Sequence, residues 1–482
     1  MKKRSIYQNR SQELYSLFED AGDNAKIMCI PMDYAKKHHL VMFCNGYGDI
    51  VRKPFPINNS PEGVDYLVDQ VKRACAHRSI KLSHVFFGGE DISSYSENFV
   101  HALRSQGWIV GSVNAHEAKK QRENLQASTD RLDLMGIAAM LLNRRANTHP
   151  AQSGLYRNLR NIVRHRKKLV KMKTEVKNRI HTVIDQLFPG FLDETKSGIP
   201  PFSRSSLYLM SERFSTRQIS RRRLQPLSKA LNRFGTKHPD QAAAKLKRYA
   251  LKAFAAPEPY MDTLQVSLSC HTKHLTCVYE CIQQLEKEIA IILSQTQGAF
   301  LTSIQGIGII LAAGICSEIG DPFIQGNAAN LASYAGVVPR VKQSGGPESE
   351  PRVGSVSKKN NHILKDYLLQ ASNHMGLHGP EDLKKDFQRR RIHGQNAEFG
   401  IARRLMRIAI SMMRTWQFYI PCYLRSNHTD KKDRARYYQS IWPYVTEKWR
   451  RARVLEKAFE IDQPMGQWRD IVQKIYKIKL DL

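Results

Sequence analysis

The chain has 482 residues, of which 41% are hydrophobic and 9% aromatic, which is enough for two or three globular domains. Lys and Arg number 75 and Asp and Glu 44, and the formal net charge of +31 at pH 7 predicts a polyanionic partner, nucleic acid rather than a membrane. No apolar run approaches the length of a membrane span, no signal peptide is recognisable, and the eight Cys form no CxxC pair, so we expect no membrane partner and reduced thiols in a cytoplasm.

The N-terminal part alternates short strands and helices. Residues 1–24 are polar and predict a tail or a short helix. Three extended runs follow, and then "SPEGVDYLVDQVKRACAH" has Ser60 as N-cap and Pro61 at the first helical position. The strand "KLSHVFFGGE", a helix, the strand "WIVGSVN" and the helix "DRLDLMGIAAMLLNRR" complete the pattern. Three strands followed by alternating helix and strand predict a mixed α/β domain over 25–147.

Two long helices dominate the segment 148–298. The seam of the first, over 155–188, is interrupted by Arg166 and Lys173. The apolar residues of the second, over 261–292, recur at alternating steps of three and four, the heptad pattern of a coiled coil. The helices can pair with each other or with a second subunit, and the pattern does not decide between these arrangements.

The rest of the chain reads as mostly helical. Residues 299–415 alternate helices with a loop rich in Gly, Ser and Pro, which predicts a helical domain with a glycine-rich loop. Residues 416–482 form an extension rich in Trp, Tyr and basic residues, with no recognisable motif.

Four acidic residues occupy strand ends and a helix start. Asp33 ends the first strand, Glu90 ends "HVFFGGE", and Asp130 and Asp133 begin a helix. If the first and fourth strands are neighbours, Asp33 and Glu90 emerge at one sheet edge, and a helix across that edge adds the other two. Such hard oxygen ligands suit Mg²⁺, and two such ions can clamp a phosphoryl group. The alternative is four solvated surface carboxylates.

The order strand–Asp–helix–Glu–helix–"TDRLD" resembles the N-terminal RuvC-like, DEDD-type domain of insertion-sequence transposases of the one-hundred-ten family, which includes Piv-type invertases. "PMDYAK" stands where members read G-I-D-V-S-K, "EDISSY" keeps Glu90 and Tyr95 of E-A-T-G-x-Y, and "STDRLDL" is similar to K-T-D-R-I-D-A. The resemblance implies an RNase H-like fold that holds Mg²⁺ on the four acids.

The C-terminal half resembles the second, transposase-type domain of the same family. "LTSIQGIGIILAAGICSEIGD" has Gln305 where Pro is usual, "LASYAGVVPRVKQSGG" is close to the A-x-Y-A-G stretch, and "GSVSKKNNHILKDYLLQA" has Asn360 where Gly is usual. The resemblance implies a recombinase nucleophile at Ser344 of "QSGG". A serine hydroxyl becomes a nucleophile only when its proton is taken or the developing charge is stabilised.

Several basic residues are candidates for phosphate contacts. Near the serine these are Arg340, Lys342, Lys358 and Lys359. The run "RHRKKLVKMK" on the first long helix is either a solvated face or a phosphate-contacting face, and with +31 overall we favour the second. Its residues are Arg164, Arg166, Lys167, Lys168 and Lys171.

Two further motifs have alternative explanations. In "IQGIG", glycines either direct backbone N–H groups toward a phosphate or form a tight turn between packed helices. For the Cys and His residues of 270–281, we reject a zinc site in favour of thiols packed on a coiled coil.

The combined prediction is a DNA recombinase that moves or inverts an element. The resemblance implies a covalent phosphoserine intermediate, donor and target DNA, a structured non-coding guide RNA, and a homo-oligomer, dimer or tetramer, inside a bacterial or archaeal cell. Two alternatives stay open. One is a metal-dependent nuclease that hydrolyses junction DNA without a covalent step, which needs the four acids and not Ser344. The other is a catalytically inactive nucleic-acid binder, which needs only the basic faces.

Overall fold

A computed structural model describes residues 11–90, 95–121, 129–148, 154–212, 214–323, 327–342, 352–356, 360–425 and 430–482. The chain divides into two compact units, Met1–Ala151 and Gln152–Leu482. The first is a mixed α/β unit and the second is predominantly helical, as the sequence predicted.

The N-terminal unit is built on one five-stranded sheet with the order β3-β2-β1-β4-β5. Neighbouring strands are antiparallel in the pairs β1–β2 and β2–β3, and parallel in β1–β4 and β4–β5. The strands are β1 (Met28–Asp33), β2 (His38–Asn45), β3 (Ile50–Asn58), β4 (Val85–Glu90) and β5 (Ile109–Val113), and the helices are α1 (Gln12–Ala21), α2 (Pro61–His77), α3 (Glu97–Ser105), α4 (Ala115–Lys120) and α5 (Asp130–Leu142).

Helices cover both faces of this sheet, because successive side chains of a strand point to opposite faces. Met28, Ile30 and Met32 of β1 pack in one cluster with α2 and α3. Cys29 of β1 and Phe86 of β4 pack in the other cluster with α1, α4 and α5. Each strand residue can therefore be assigned to a face by its position relative to these residues.

The cap expected from sequence is present, and a second cap begins the N-terminal helix. Ser60 accepts a hydrogen bond from the Gly63 N–H at the start of α2. The polar N-terminal segment contains α1, whose N-cap Ser11 accepts from the Leu14 N–H, and its apolar residues, such as Leu17, are buried.

Two long helices pack against each other in the C-terminal unit, α6 (Gly154–Leu187) and α12 (Glu258–Ser294). The start of α6 shares a core with the end of α12, as in Leu159 and Ile289, and the end of α6 shares another with the start of α12, as in Ile180 and Leu268. The helices are therefore antiparallel. The heptad seam of α12 is buried, and the helix it packs against is α6 of the same chain. The buried seam residues are Leu268, Leu275, Val278, Ile282 and Ile289.

The basic residues that interrupt the α6 seam face suitable groups on α12. Arg166 forms an ion pair with Glu286, with 2.5 Å from Nη2 to Oε1. Lys173 lies with its Nζ 5.9 Å from the centre of the Tyr279 ring. The interruptions are therefore compatible with close packing of the two helices.

Five short helices lie between the two long ones, and all but the first of them share a core with the ends of the long helices, which explains how this loosely patterned segment folds. They are α7 (Glu194–Ser197), α8 (Arg204–Ser211), α9 (Thr216–Arg221), α10 (Leu224–Arg233) and α11 (Pro239–Ala250).

The remaining elements of the C-terminal unit follow α12, and their helices form one large core that includes the C-terminal extension. Phe418 stacks on Trp468 with ring centres 3.6 Å apart. Trp449 is fully buried, and its Nε1 donates to Thr302 Oγ1. The elements are a 3₁₀ helix (Gln297–Ser303), α13 (Ile309–Ile319), α14 (Ala328–Ala335), β6 (Pro339–Lys342), β7 (Arg352–Val356), α15 (His362–His378), α16 (Glu381–Ile392), α17 (Ala397–Thr415), α18 (Lys431–Arg451), α19 (Leu455–Ala458) and α20 (Pro464–Tyr476).

All eight cysteines are free thiols. Within the described ranges, no helix is both long and apolar enough to cross a membrane.

Candidate active site

Asp33 and Glu90 lie at the carboxyl ends of neighbouring parallel strands. Met32 of β1 is in register with Gly89 of β4, and each acid is the next residue of its strand. Asp33 is on the face of Cys29, and Glu90 is on the face of Phe86, so both acids belong to the face that packs against α5. Both are half-buried. The sheet order on which the sequence argument depended is therefore the one observed.

Asp130 and Asp133 lie in the first turn of α5. Thr129 caps this helix by accepting from the Leu132 N–H. Asp133 is half-buried, whereas Asp130 is exposed. The helix comes close to the sheet because Gly88 has no side chain: a Cβ at Gly88 would lie 2.4 Å from Cδ2 of Leu141. Asp133 is thus carried on the helix that covers the face of Asp33 and Glu90.

His39, which the sequence argument did not single out, fixes the turn after Asp33. Its ring is fully buried, and its Nδ1 accepts a hydrogen bond from the Ala35 N–H at 3.2 Å. Burial lowers the pKa of His39, which favours the neutral ring that can accept this bond.

The chemistry of the carboxylates fits a hard divalent cation such as Mg²⁺. Among the residues that the structure describes, no group of three or more His, Cys, Asp or Glu side chains is placed to hold a metal ion. The structure therefore places Asp33 and Glu90 on neighbouring strand ends and Asp133 on the helix over that face, without assembling a ligand set from the four acids.

The second candidate site surrounds the antiparallel hairpin of β6 and β7. Arg340 and Lys342 belong to β6. Ser344, Lys358 and Lys359 lie outside the described residues. What the structure describes here is the scaffold on either side of the serine loop.

Asn361, directly after the segment with Lys358 and Lys359, joins three helices of this scaffold. Its Oδ1 accepts from the Ile363 and Leu364 N–H groups, both at 3.1 Å, and so caps α15. Its Nδ2 donates to Glu318 on α13 at 2.8 Å and to the Tyr334 hydroxyl on α14 at 3.1 Å. An Asn before an apolar helical run predicts a helix cap from sequence, but the sequence does not predict its hydrogen bonds to distant residues.

Gly336 allows the chain after α14 to approach Asn360. Its φ of 67° lies in the left-handed region, and a Cβ there would lie 2.5 Å from Cβ of Asn360. Gly336 and Asn360, on the two sides of the hairpin, are therefore close neighbours.

Two sequence models of known families match the chain. One, the DEDD-type transposase model of IS110 elements, described as "Transposase", matches residues 30–189, and one described as "Transposase IS116/IS110/IS902 family" matches 298–387. Together these matches cover about half of the chain. A relative, the insertion element IS110 uncharacterized 43.6 kDa protein of Streptomyces coelicolor, is 29% identical over 258 residues. The chain belongs to the IS110 family of transposases. The match spans 51% of this chain and 60% of that relative's length.

In this IS110-family transposase, the first match includes all four acids and the second includes "IQGIG", the hairpin and Asn361. The part of the extension described above, together with the end of α16 and all of α17, lies beyond the second match.

Four of the five basic residues proposed on α6 form ion pairs within the protein. Arg164 donates from Nε and Nη2 to both oxygens of Glu318, at 2.7 and 2.9 Å. Arg166 forms its ion pair with Glu286, and Lys167 forms one with Asp366. Lys171 lies 3.9 Å from Glu175 and is exposed, and Lys168 is exposed as well.

Glu318 is the buried centre of this charge cluster, with a side chain that is 0% exposed, and Arg160 also contacts it at 3.1 Å. Burial alone raises the pKa of Glu318, but the hydrogen bonds from Arg164 and Asn361 and the charge of Arg160 outweigh it and lower that pKa. Glu318 is therefore a carboxylate that ties α6 to the scaffold of the serine loop.

The "IQGIG" segment of the transposase is a tight turn held by α18. Gly306 has φ 88°, and its N–H donates to the Tyr444 hydroxyl at 2.9 Å. Lys448 donates to the carbonyl oxygens of Thr302 and Ile307 at 2.5 and 2.6 Å. Because Tyr444 already accepts the Gly306 N–H, the structure favours the turn over a phosphate-binding loop.

The cysteines of α12 differ from the prediction of packed thiols. Cys270, Cys277 and Cys281 are exposed, because they lie outside the buried seam of the helix. The prediction of packing was wrong for all three.

Proposed function

We propose that this IS110-family transposase is a DNA recombinase that cuts and rejoins DNA at the ends of an insertion sequence. The observation that carries the proposal is the position of Asp33 and Glu90 on neighbouring strand ends, on the sheet face covered by the helix with Asp133. Family membership supports an enzyme that acts on DNA.

In this proposal Asp33, Glu90 and Asp133 hold Mg²⁺, with Asp130 at the exposed rim. The bound cation would supply Lewis-acid stabilisation of the charge on a phosphate under attack. The carboxylates that would hold it are carried by β1, β4 and the N-terminal turn of α5. Neutralising one of these acids should therefore reduce cleavage without changing the charge of the basic surfaces that bind nucleic acid.

Ser344 is the proposed nucleophile. Its hydroxyl loses its proton, its oxygen forms a bond to phosphorus, and the phosphorus–oxygen bond to one DNA end breaks, releasing a strand that takes up a proton. The chain then remains joined to the other end as a phosphoserine diester, and attack by a new strand end reverses the step. Arg340, Lys342, Lys358 and Lys359 hold the phosphate.

The resemblance also suggests a structured non-coding guide RNA, donor and target DNA, and a dimer or tetramer. The net charge of +31 supports a polyanionic partner but does not distinguish RNA from DNA. Lys168 and Lys171, exposed on α6, remain candidates for contacts with either nucleic acid.

The test is to denature a reaction on labelled DNA and look for label that migrates with protein. We expect the adduct with wild type and its loss with Ser344→Ala, while Ser355→Ala, a change at an exposed residue of β7, keeps it. Cleavage by Ser344→Ala at the wild-type rate, with no adduct in wild type, would favour the nuclease.

Substitutions of the four acids distinguish a recombinase or a nuclease from an inactive nucleic-acid-binding protein. Asp33→Asn and Glu90→Gln should abolish cleavage and leave DNA binding unchanged. If wild type itself binds DNA but neither cleaves it nor forms an adduct with Mg²⁺ present, the chain is a binder, and both catalytic proposals fail.

A further inference from the structure

A cleft lined by arginines lies between the second half of α17 and the start of the C-terminal extension. Its volume is about 540 Å³, and Arg404, Arg407, Arg425 and Arg434 line it without any Asp or Glu among the lining residues. Volumes of about 300–1,000 Å³ are usual for ligand sites. The cleft lies beyond the residues that match the family models.

The floor of the cleft is held by a charge network. Arg404 donates to Asp386 at 3.0 Å and to Asp382 at 3.0 Å. The Tyr419 hydroxyl also donates to Asp382, at 2.8 Å. Since two carboxylates already compensate Arg404, this arginine is chiefly structural.

The walls carry charge that these acids do not compensate. Arg407 is exposed on α17 and forms no ion pair with a residue that the structure describes. Arg425 donates from Nε to the Ile420 carbonyl at 2.7 Å. A carbonyl orients a guanidinium without cancelling its charge. Convergent positive charges repel each other, and an anion between them removes that repulsion.

The shape of the cleft fits a chain of phosphates better than one phosphate ion. Arg404, Arg407, Ser411 and Thr415 follow one another at steps of three and four, so they lie along one face of α17. That face is about 16 Å long at 1.5 Å per residue. Successive phosphates of one strand are about 3.4 Å apart along a duplex axis, so several fit this length. Guanidinium forks and hydroxyl groups are the side-chain groups that contact phosphates in nucleic-acid complexes.

We propose that this cleft binds successive phosphates of a nucleic-acid backbone. The test of this proposal does not depend on strand cleavage, because binding can be measured in the presence of a chelator that removes Mg²⁺. It assigns to the extension a direct part in substrate binding, in addition to its contribution to the core.

The experiment compares wild type with Arg407→Gln/Arg425→Gln, using fluorescence anisotropy with a labelled DNA duplex and a labelled RNA hairpin over a series of salt concentrations. Each lost phosphate contact should reduce the slope of the logarithm of the binding constant against the logarithm of the salt concentration by about 0.9. At physiological salt this corresponds to a roughly fivefold weaker affinity. We therefore expect the double variant to bind about 30-fold more weakly with a slope smaller by about 2. Thermal unfolding checks that the variants fold.

The matched control is Arg450→Gln/Arg451→Gln, which removes two exposed guanidinium groups from α18. A larger loss of affinity in the cleft variant than in the control variant supports the site. The probe whose binding is weakened identifies the bound strand as DNA, RNA or both. Equal loss in the two variants overturns the proposal in favour of diffuse attraction to net charge. Inorganic phosphate and unlabelled DNA are also compared as competitors at the same concentration of phosphate groups. If they compete equally well, the proposal is overturned in favour of a site for a free anion.

Discussion

Replacement of Glu318 by Gln tests whether the buried charge cluster holds the scaffold of the serine loop. Gln keeps the size of the side chain but removes its charge, so Arg164 and Arg160 lose their buried counterion and face an amide with one acceptor oxygen in place of two. Breaking one side of a fully buried ion pair costs about 3–5 kcal/mol, but the side chains of Arg160 and Arg164 are 20% and 39% exposed, so the cost here should be lower, about 2 kcal/mol. We expect Glu318→Gln to lower the free energy of unfolding of the C-terminal unit by this amount.

The assay is urea unfolding followed by tryptophan fluorescence. Of the five Trp residues, four belong to the C-terminal unit, at positions 416, 442, 449 and 468, so the signal reports mainly on that unit. The control is Glu447→Gln, because Glu447, whose side chain is 42% exposed, also pairs with two arginines, Arg450 and Arg451. Exposed pairs contribute about 0–1 kcal/mol. If Glu318→Gln loses no more stability than Glu447→Gln, the cluster does not stabilise the unit.

The same variant has a defined pH dependence. Because its neighbours lower the pKa of Glu318 in the folded protein, its contribution is complete above the pKa of Glu in the unfolded chain, about 4.3. The contribution is lost as the pH falls through the lower folded pKa. The stability difference between wild type and Glu318→Gln should therefore shrink in acid, and a constant difference down to the acid limit would contradict the assignment.

Three other predictions concern packing and burial. Ile282→Asp should destabilise the pairing of α12 with α6 by several kcal/mol, since it buries an unpaired charge, while exposed Gln283→Asp should have little effect in the same urea assay. Gly88→Val should displace α5 from the sheet, because a Cβ there would also lie 2.7 Å from the Gly111 carbonyl oxygen, and should abolish DNA cleavage while leaving the urea unfolding of the C-terminal unit unchanged. Burial lowers the pKa of Lys448 to about 7. Between about pH 7 and pH 10.4, the unfolded chain therefore still holds the proton that folded Lys448 has released. Wild type should gain stability relative to Lys448→Met as the pH rises through this range. A flat difference across that range would show that Lys448 stays charged when folded.

The sequence by itself determined the local elements of this transposase. The strand runs, the Ser60 cap and the heptad seam of α12 follow from periodicity and from backbone hydrogen bonding within a few residues. Both signals depend only on residues that are close together in the sequence. Asp33 and Glu90 could be placed at strand ends for the same reason, and the family resemblance extended that placement to a shared function.

Only the tertiary structure decided which of these residues meet. The adjacency of β1 and β4, which brings Asp33 and Glu90 to one edge, depends on sheet order, and strand periodicity is the same for every order. The basic run on α6 looked like a nucleic-acid face, yet Arg164 is satisfied by Glu318, a residue 154 positions further along the chain. The choice of α6 as the helix paired with α12, and the packing of the extension into the transposase core, likewise depend on contacts between distant segments. Such contacts are selected by the packing of the whole unit, so no local pattern in the sequence records them.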